Sequence, residues 1–260
     1  MGEADAFDFG ELVVLQHAPT CDPAALAPVL DARAGRRPWR LVDIAGGDAY
    51  PDLDRARGVL ALGGPMGVPD ADEHTWMGGE LALLRDAVDR AIPVFGICLG
   101  AQMLGAALGG RVERRQVPEI AFLPLSRTDV AAEDDVFAGW PDGSRALMWH
   151  EDEVVELPEG AQVMLSGSDG TAAWRAADGL SYGVQFHPEA DAAHVAMWCE
   201  TDRSHSELAA AGVDAVTLVE EALQRERFTL AVGLSLVGRW LDGVVGRDDP
   251  APARRTRPAA

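Results

Sequence analysis

Short apolar runs alternate along this chain with longer stretches in which apolar residues recur every three or four positions. Leu12-Val13-Val14-Leu15 has no polar break and reads as a strand buried on both faces. Residues 23–34 follow as a helix with Asp22 as its N-cap. Leu41-Val42-Asp43-Ile44 and Val59-Leu60-Ala61-Leu62 continue the strand series. Residues 80–90 carry Leu81, Leu84 and Val88 at helical spacing, and residues 93–97 form the next buried run. Strand, helix, strand, helix implies a parallel sheet covered by helices on both faces.

Beyond Gly109 the pattern shortens, with Pro, Gly and acids separating segments 121–125, 146–149, 163–166, 172–175 and 181–186. These read as hairpin strands that extend the sheet. Helical periodicity returns over 191–200 and 206–225, and 228–245 reads as another helix that packs over the sheet. The closing DDPAPARRTRPAA has the composition of a disordered tail. No internal repeat is visible.

Composition narrows the class. With 260 residues, 48% of them hydrophobic, the chain can bury the core of one large α/β domain more readily than of two equal ones. A net charge of -20 argues against a nucleic-acid partner. Arg111, Arg114 and Arg115 form one small basic cluster, read as a solvated loop that balances nearby acids. Cys21, Cys98 and Cys199 are too few and too scattered for a disulfide framework or a metal knuckle, and an odd count suits a reducing compartment. The opening MGEADAFDFG lacks the basic and apolar stretches of a secretory or transit segment, and no apolar run approaches the roughly 20 residues of a bilayer span. The expectation is a cytoplasmic protein with no membrane, metal or cofactor involvement.

The chemistry-bearing stretch is Gly96-Ile97-Cys98-Leu99-Gly100, placed where a strand becomes a helix. Glycines flanking a nucleophile at such an elbow let neighbouring backbone pass without Cβ clashes, as in G-x-S-x-G hydrolases. A thiolate there is favoured by the helix dipole, and the amide of Leu99 would face an oxyanion. The pentapeptide alone equally fits a small buried hydrophobe at a tight turn. Of six histidines, His187 has the most informative setting: Tyr182-Gly183-Val184-Gln185-Phe186 is a strand pattern, Pro188 ends the ladder, and Glu189 can turn back to the imidazole. Leu62-Gly63-Gly64-Pro65-Met66-Gly67 also follows a strand, and reads either as a plain turn or as a loop presenting an amide to the nucleophile.

Three ordered motifs, "LGGPMG", "PVFGICLGAQMLGAALGG" and "SYGVQFHPE", together with "LMWHEDEV", resemble the class I (triad-type) glutamine amidotransferase family, and within it stand-alone proteins similar to the amidotransferase domain of GMP synthase. The resemblance implies a flavodoxin-like three-layer sandwich over residues 10–245, mainly parallel with a small antiparallel extension, and a tail over 246–260. It implies that Cys98 attacks the carboxamide of glutamine, with His187 as base and acid and Glu189 orienting it. The oxyanion would lie against the amides of Leu99 and of the Gly63-Gly64 pair. Gln102 would contact the substrate, and His150 would either line the pocket or serve structure. Ammonia would pass to a separate synthase or be released. A γ-glutamyl hydrolase with the same triad is the alternative, and a non-catalytic binding protein is disfavoured by the complete triad. The chain departs from close relatives at Ala101, often His, and at Glu151, often Gly; the carboxylate at 151 bears on which amine or acyl group is tolerated. Trp149 and Trp174 read as core residues, Cys21 and Cys199 as packing or surface thiols.

Overall fold

Along the first strand, β1 (Glu11–Gln16), alternate side chains leave the backbone on opposite sides, and each side has its own apolar layer to enter. In the computed structural model, which describes residues 10–34, 38–168 and 170–245, Leu12 and Val14 join one cluster with Leu60, Phe95 and Ile97. Val13 and Leu15 join the other, with Val59, Ala61 and Val94. Strands buried on both faces are continuous apolar runs for this reason.

The strands β2 (Trp39–Asp43), β3 (Ala56–Ala61) and β4 (Val94–Ile97) lie parallel to β1. The sheet continues through β5 (Arg111–Pro124) only in sequence, because that strand belongs elsewhere. The remaining members are β6 (Ser126–Arg127), β8 (Gln162–Ser166), β9 (Thr171–Arg175) and β10 (Tyr182–Val184), and the order is β2-β1-β3-β4-β10-β9-β8-β6. β10 runs parallel to β4, whereas β9, β8 and β6 are antiparallel additions. A separate antiparallel ribbon pairs β5 with β7 (Arg145–Glu156).

One face of the sheet is covered by α1 (Ala27–Ala34) and the C-terminal half of α7 (Ala215–Trp240), whose Leu236, Val237 and Trp240 are buried against Phe95 and Leu30. The other face carries α2 (Met77–Asp89) and α3 (Leu99–Ala107). A short helix, α4 (Asp129–Ala132), follows β6. The helices α5 (Ala192–Cys199) and α6 (Asp202–Ala211) pack with the first half of α7 on the ribbon, around Ile120, Phe122, Leu147 and Trp149. Among the described residues no helix is long and apolar enough to cross a membrane.

Three expectations are corrected. Segments 121–125 and 146–149 are strands, but they form the ribbon and do not extend the main sheet. Arg111, Arg114 and Arg115 lie on β5, not in a loop, with Glu153 paired to Arg115 at 2.5 Å and Asp152 to Arg114 at 2.9 Å. The boundary between the last two helices falls at Gly212, in left-handed conformation at φ 66°, and Asp214 caps the next helix by accepting from the Thr217 amide. No breaker interrupts residues 225–228, so α7 runs straight through them. Residues 228–245 do cover the sheet as expected, through Trp240 and Val245. The tail expected over 246–260 lies outside the described residues.

The antiparallel edge is held by one buried carboxylate. Asp134 accepts from the amides of Val136 and Phe137 at 2.9 and 3.0 Å, from Arg175 at 2.7 Å and from the Tyr182 hydroxyl at 3.1 Å. Burial and this carboxylate push the Tyr182 hydroxyl pKa upward. Removing the acceptor strands four donors, so Asp134→Ala should cost roughly 2–4 kcal/mol. Denaturant titration should show that loss as a lower midpoint with an unchanged slope.

Candidate active site

β4 ends at Ile97 and α3 begins at Leu99, so a single residue, Cys98, must turn the chain. It does so at φ 48°, ψ -106°, outside the regions open to ordinary side chains. The turn is pinned on both sides: the Cys98 amide donates to Val184 at 2.8 Å and the Gly100 amide to Leu62 at 3.1 Å. A Cβ on Gly100 would lie 2.2 Å from the Ala61 carbonyl oxygen, and one on Gly96 would lie 2.5 Å from that of Gly100. These contacts explain why both flanking positions are glycine.

The parallel pairing of β4 with β10 brings the chain after Val184 to the same sheet edge. There the Nδ1 of His187 lies 2.7 Å from Oε1 of Glu189, while Nε2 is 3.4 Å from the carbonyl oxygen of Trp149. The Sγ of Cys98 is 3.7 Å from that same oxygen. The thiol, the imidazole and the carboxylate thus converge, all three buried. Burial alone lowers the pKa of His187, but the charges of Glu189 and Cys98 and its hydrogen bonds to both outweigh it and hold the pKa well above the usual histidine value.

The glycine loop after β3 closes over this group. A Cβ on Gly63 would sit 3.2 Å from Cε1 of His187 and 3.7 Å from Cβ of Cys98. Among the described residues, none accepts a hydrogen bond from the amides of Gly63, Gly64 or Leu99. Unpaired amides beside a nucleophile are what a developing oxyanion needs. The far end of the loop is fixed at Gly67, where a Cβ would overlap Oδ2 of Asp152.

A cleft opens above Cys98, lined by Gly64, Met66, Gln102, Trp149, Trp198 and further polar residues. Gln102 and His150 are both in its wall with their side chains engaged. Gln102 donates to the Asp152 carbonyl at 2.8 Å, and His150 sets its nitrogens against that carbonyl and the Glu119 carboxylate at 2.9 and 3.0 Å. Glu151 is at the cleft and pairs with Arg203 at 2.5 Å. Trp174 is buried in the core. Trp149 is buried too, and also lines the cleft. Cys21 reaches the cleft wall, but burial, with the negative charges of Glu189 and Cys98, pushes its pKa up to about 12, so it stays a thiol.

Several residues of the cleft carry no local signal. Gln185 donates to Sγ of Cys98 at 3.6 Å, although the strand pattern alone marks it only as a strand residue. Thr201, Arg203, Ser204 and Glu207 arrive on and before α6, whose sequence reads as a charged surface helix. Glu207 is recognisable only from its fold contact, accepting from the Trp149 indole at 2.8 Å. Among the described residues, no cluster of three or more His, Cys, Asp or Glu side chains is placed to hold a metal ion.

A family model described as glutamine amidotransferase class-I matches residues 45–195, more than half of the chain, and the chain belongs to that family. Glutamine-hydrolysing GMP synthases of Staphylococcus saprophyticus and Staphylococcus aureus are 34% and 36% identical over 134 residues, which is 51% of this chain but only 24% of each relative. The solved structure of a glutamine amidotransferase from Methylobacillus flagellatus superposes with a TM-score of 0.79 at 26% identity, covering 90% of this chain and 95% of that one. One from Thermotoga maritima, at 24% identity, shares the fold with a TM-score of 0.78 over 92% of this chain and 99% of its own. The flavodoxin-like α/β architecture expected from the motifs is the one observed.

The raised pKa of His187 gives a signed prediction. A histidine whose folded pKa exceeds its unfolded one stabilises most below about pH 6.5, and that contribution is lost as pH rises through the folded value. Glu189→Gln removes the main upward pull, so the variant should lose most stability relative to wild type near about pH 6 and least under alkaline conditions. Thermal melts across pH, with NMR titration of the His187 ring, should show both the narrowing gap and the lowered pKa.

Proposed function

We propose that this protein hydrolyses the side-chain amide of L-glutamine through a thioester on Cys98, and supplies the ammonia to a separate acceptor or synthase. The observation that carries this reading is the convergence of a buried thiol at a strained elbow, a histidine held by a carboxylate at 2.7 Å and unpaired loop amides. Family membership supports the substrate class.

In the proposed reaction Sγ of Cys98 attacks the amide carbon as Nε2 of His187 takes the thiol proton. The amides of Gly64 and Leu99 receive the oxyanion. His187 returns its proton to the departing nitrogen, which leaves as ammonia, and a γ-glutamyl thioester remains. Water then attacks that carbonyl, giving its proton to His187; glutamate leaves and the thiol is restored. Glu189 holds the ring with Nδ1 protonated throughout. Gln102 and His150, with their polar atoms already engaged, shape the wall of the substrate cleft. The relatives that carry a synthase are four times the length of the matched segment, and transfer of ammonia to such a partner is part of the proposal.

Glutamine turnover by the purified protein, measured as ammonia and glutamate, should depend wholly on Cys98, with Cys98→Ser lowering kcat by at least about a thousandfold. A γ-glutamyl anilide assayed alongside separates the readings: turnover of the anilide alone would replace the glutaminase assignment with a γ-glutamyl hydrolase. Full activity in Cys98→Ser would sink both.

A further inference from the structure

Behind the glycine loop lies a pair of titratable side chains that the proposed reaction does not use. His17, one residue past the end of β1, and Glu80, in the first turn of α2, are both fully buried. The Nε2 of His17 lies 2.9 and 3.1 Å from the two oxygens of Glu80, and its Nδ1 lies 3.1 Å from the carbonyl oxygen of Gly63. The Trp76 ring stacks on the imidazole at 5.4 Å and 16°. A buried ion pair is an expensive way to fill a core unless it holds something in place.

What it holds is one peptide unit. A carbonyl oxygen only accepts, so Nδ1 carries a proton; facing a carboxylate, Nε2 carries one as well, and the ring is an imidazolium. Burial lowers the pKa of His17, but the charge and hydrogen bond of Glu80 and the carbonyls of Gly63 and Leu62 raise it by more. The peptide joining Gly63 to Gly64 is planar and trans, so its N–H points opposite to its C=O. With the carbonyl drawn back onto His17, the Gly64 amide is turned away from His17, and Gly64 lines the cleft together with Cys98. No side chain fits at Gly64: a Cβ would meet Leu99 Cδ2 at 2.7 Å and His17 Cβ at 2.9 Å.

We propose that His17, held by Glu80, is a positioning residue that locks the Gly63–Gly64 peptide with its N–H toward the oxyanion at Cys98 and polarises that N–H as a donor. Hydrogen bonds in a chain strengthen one another, and a cation on the carbonyl side of an amide makes its N–H more acidic. The inference rests on the glutaminase reading above. His17 touches neither substrate nor Sγ in this role, and acts through the backbone.

The test compares wild type with Cys98→Ser, the double variant His17→Leu/Glu80→Leu, which avoids stranding a buried charge, and His17→Asn/Glu80→Gln, whose Asn amide can still donate to the Gly63 carbonyl. The leucine pair should lose about 100-fold or more in kcat with KM nearly unchanged, as when one oxyanion donor is removed. The Asn/Gln pair should recover about tenfold of that loss. Alkylation of Cys98 by iodoacetamide, which needs the thiolate but no oxyanion site, should stay within about twofold of wild type in both. Capture by a glutamine-mimicking chloroketone, whose carbonyl must be polarised, should fall in step with kcat. A chloroketone-to-iodoacetamide ratio unchanged from wild type would overturn the proposal, as would a kcat loss matched by an equal loss in alkylation. If the leucine pair does not fold, Glu80→Gln alone decides: it removes the charge and should lower the ratio severalfold, and no change overturns polarisation. Wild type with neither Cys98-dependent turnover nor selective chloroketone capture would instead overturn the glutaminase reading itself.

Discussion

Cys98 sits in a backbone conformation that costs a non-glycine residue about 1–3 kcal/mol, and much of the molecule's central architecture is arranged so that the chain cannot relax out of it. β10 holds its amide through Val184, the loop after β3 receives the Gly100 amide at Leu62, and the first turn of α3 abuts Ala61 with no room for a methyl group. Three strand ends therefore meet at one residue. A parallel sheet makes this possible, because β1, β3, β4 and β10 all deliver their C-terminal ends to the same edge, where His17, Gly63, Cys98 and His187 emerge within a few ångströms of neighbouring backbone.

That geometry explains which parts of the structure are legible in sequence. β1, β3 and β4 are buried on both faces, so their composition is unbroken and their identity plain. β5 is not, since its first half alternates charges that pair across the ribbon with acids of β7, such as Arg115 with Glu153. A strand stabilised by cross-strand ion pairs has no apolar alternation to read. The helix boundary at Gly212 was marked by a glycine and by Asp214, but the surrounding alanines and glutamates kept the helical period running across it.

The same division holds at the candidate site. Cys98, His187 and Glu189 are legible because each lies in a local pattern whose purpose is local: an elbow between two glycines, a strand end stopped by proline, a carboxylate two residues from the ring. His17, Glu80, Gln185 and Glu207 are not, since each acquires its role only through a partner 46 or more residues away. Glu80 in particular looks like an ordinary acid in a first helical turn. Its full burial against an imidazole follows from how α2 lies on the sheet and from nothing within the helix itself.

The cleft is built from two sources, and this bears on how one chemistry serves different ends. The reacting groups and the loop amides come from the sheet edge, inside residues 45–195 that match the family. The outer wall comes from Trp198, Thr201, Arg203, Ser204 and Glu207, all beyond that segment, held to the ribbon by the Trp149 indole on Glu207 and by Arg203 between Glu151 and Glu207. These wall residues pack against β5 and β7 and make no hydrogen bond to Cys98, His187 or Glu189 among the described residues. Substitution in the wall can therefore change which γ-glutamyl compound is admitted while the strained elbow stays intact. In the proposed reading the shared motifs determine which bond breaks. The helices appended after them determine whose bond it is, which is why family membership fixes the reaction class and leaves the acceptor to be found by experiment.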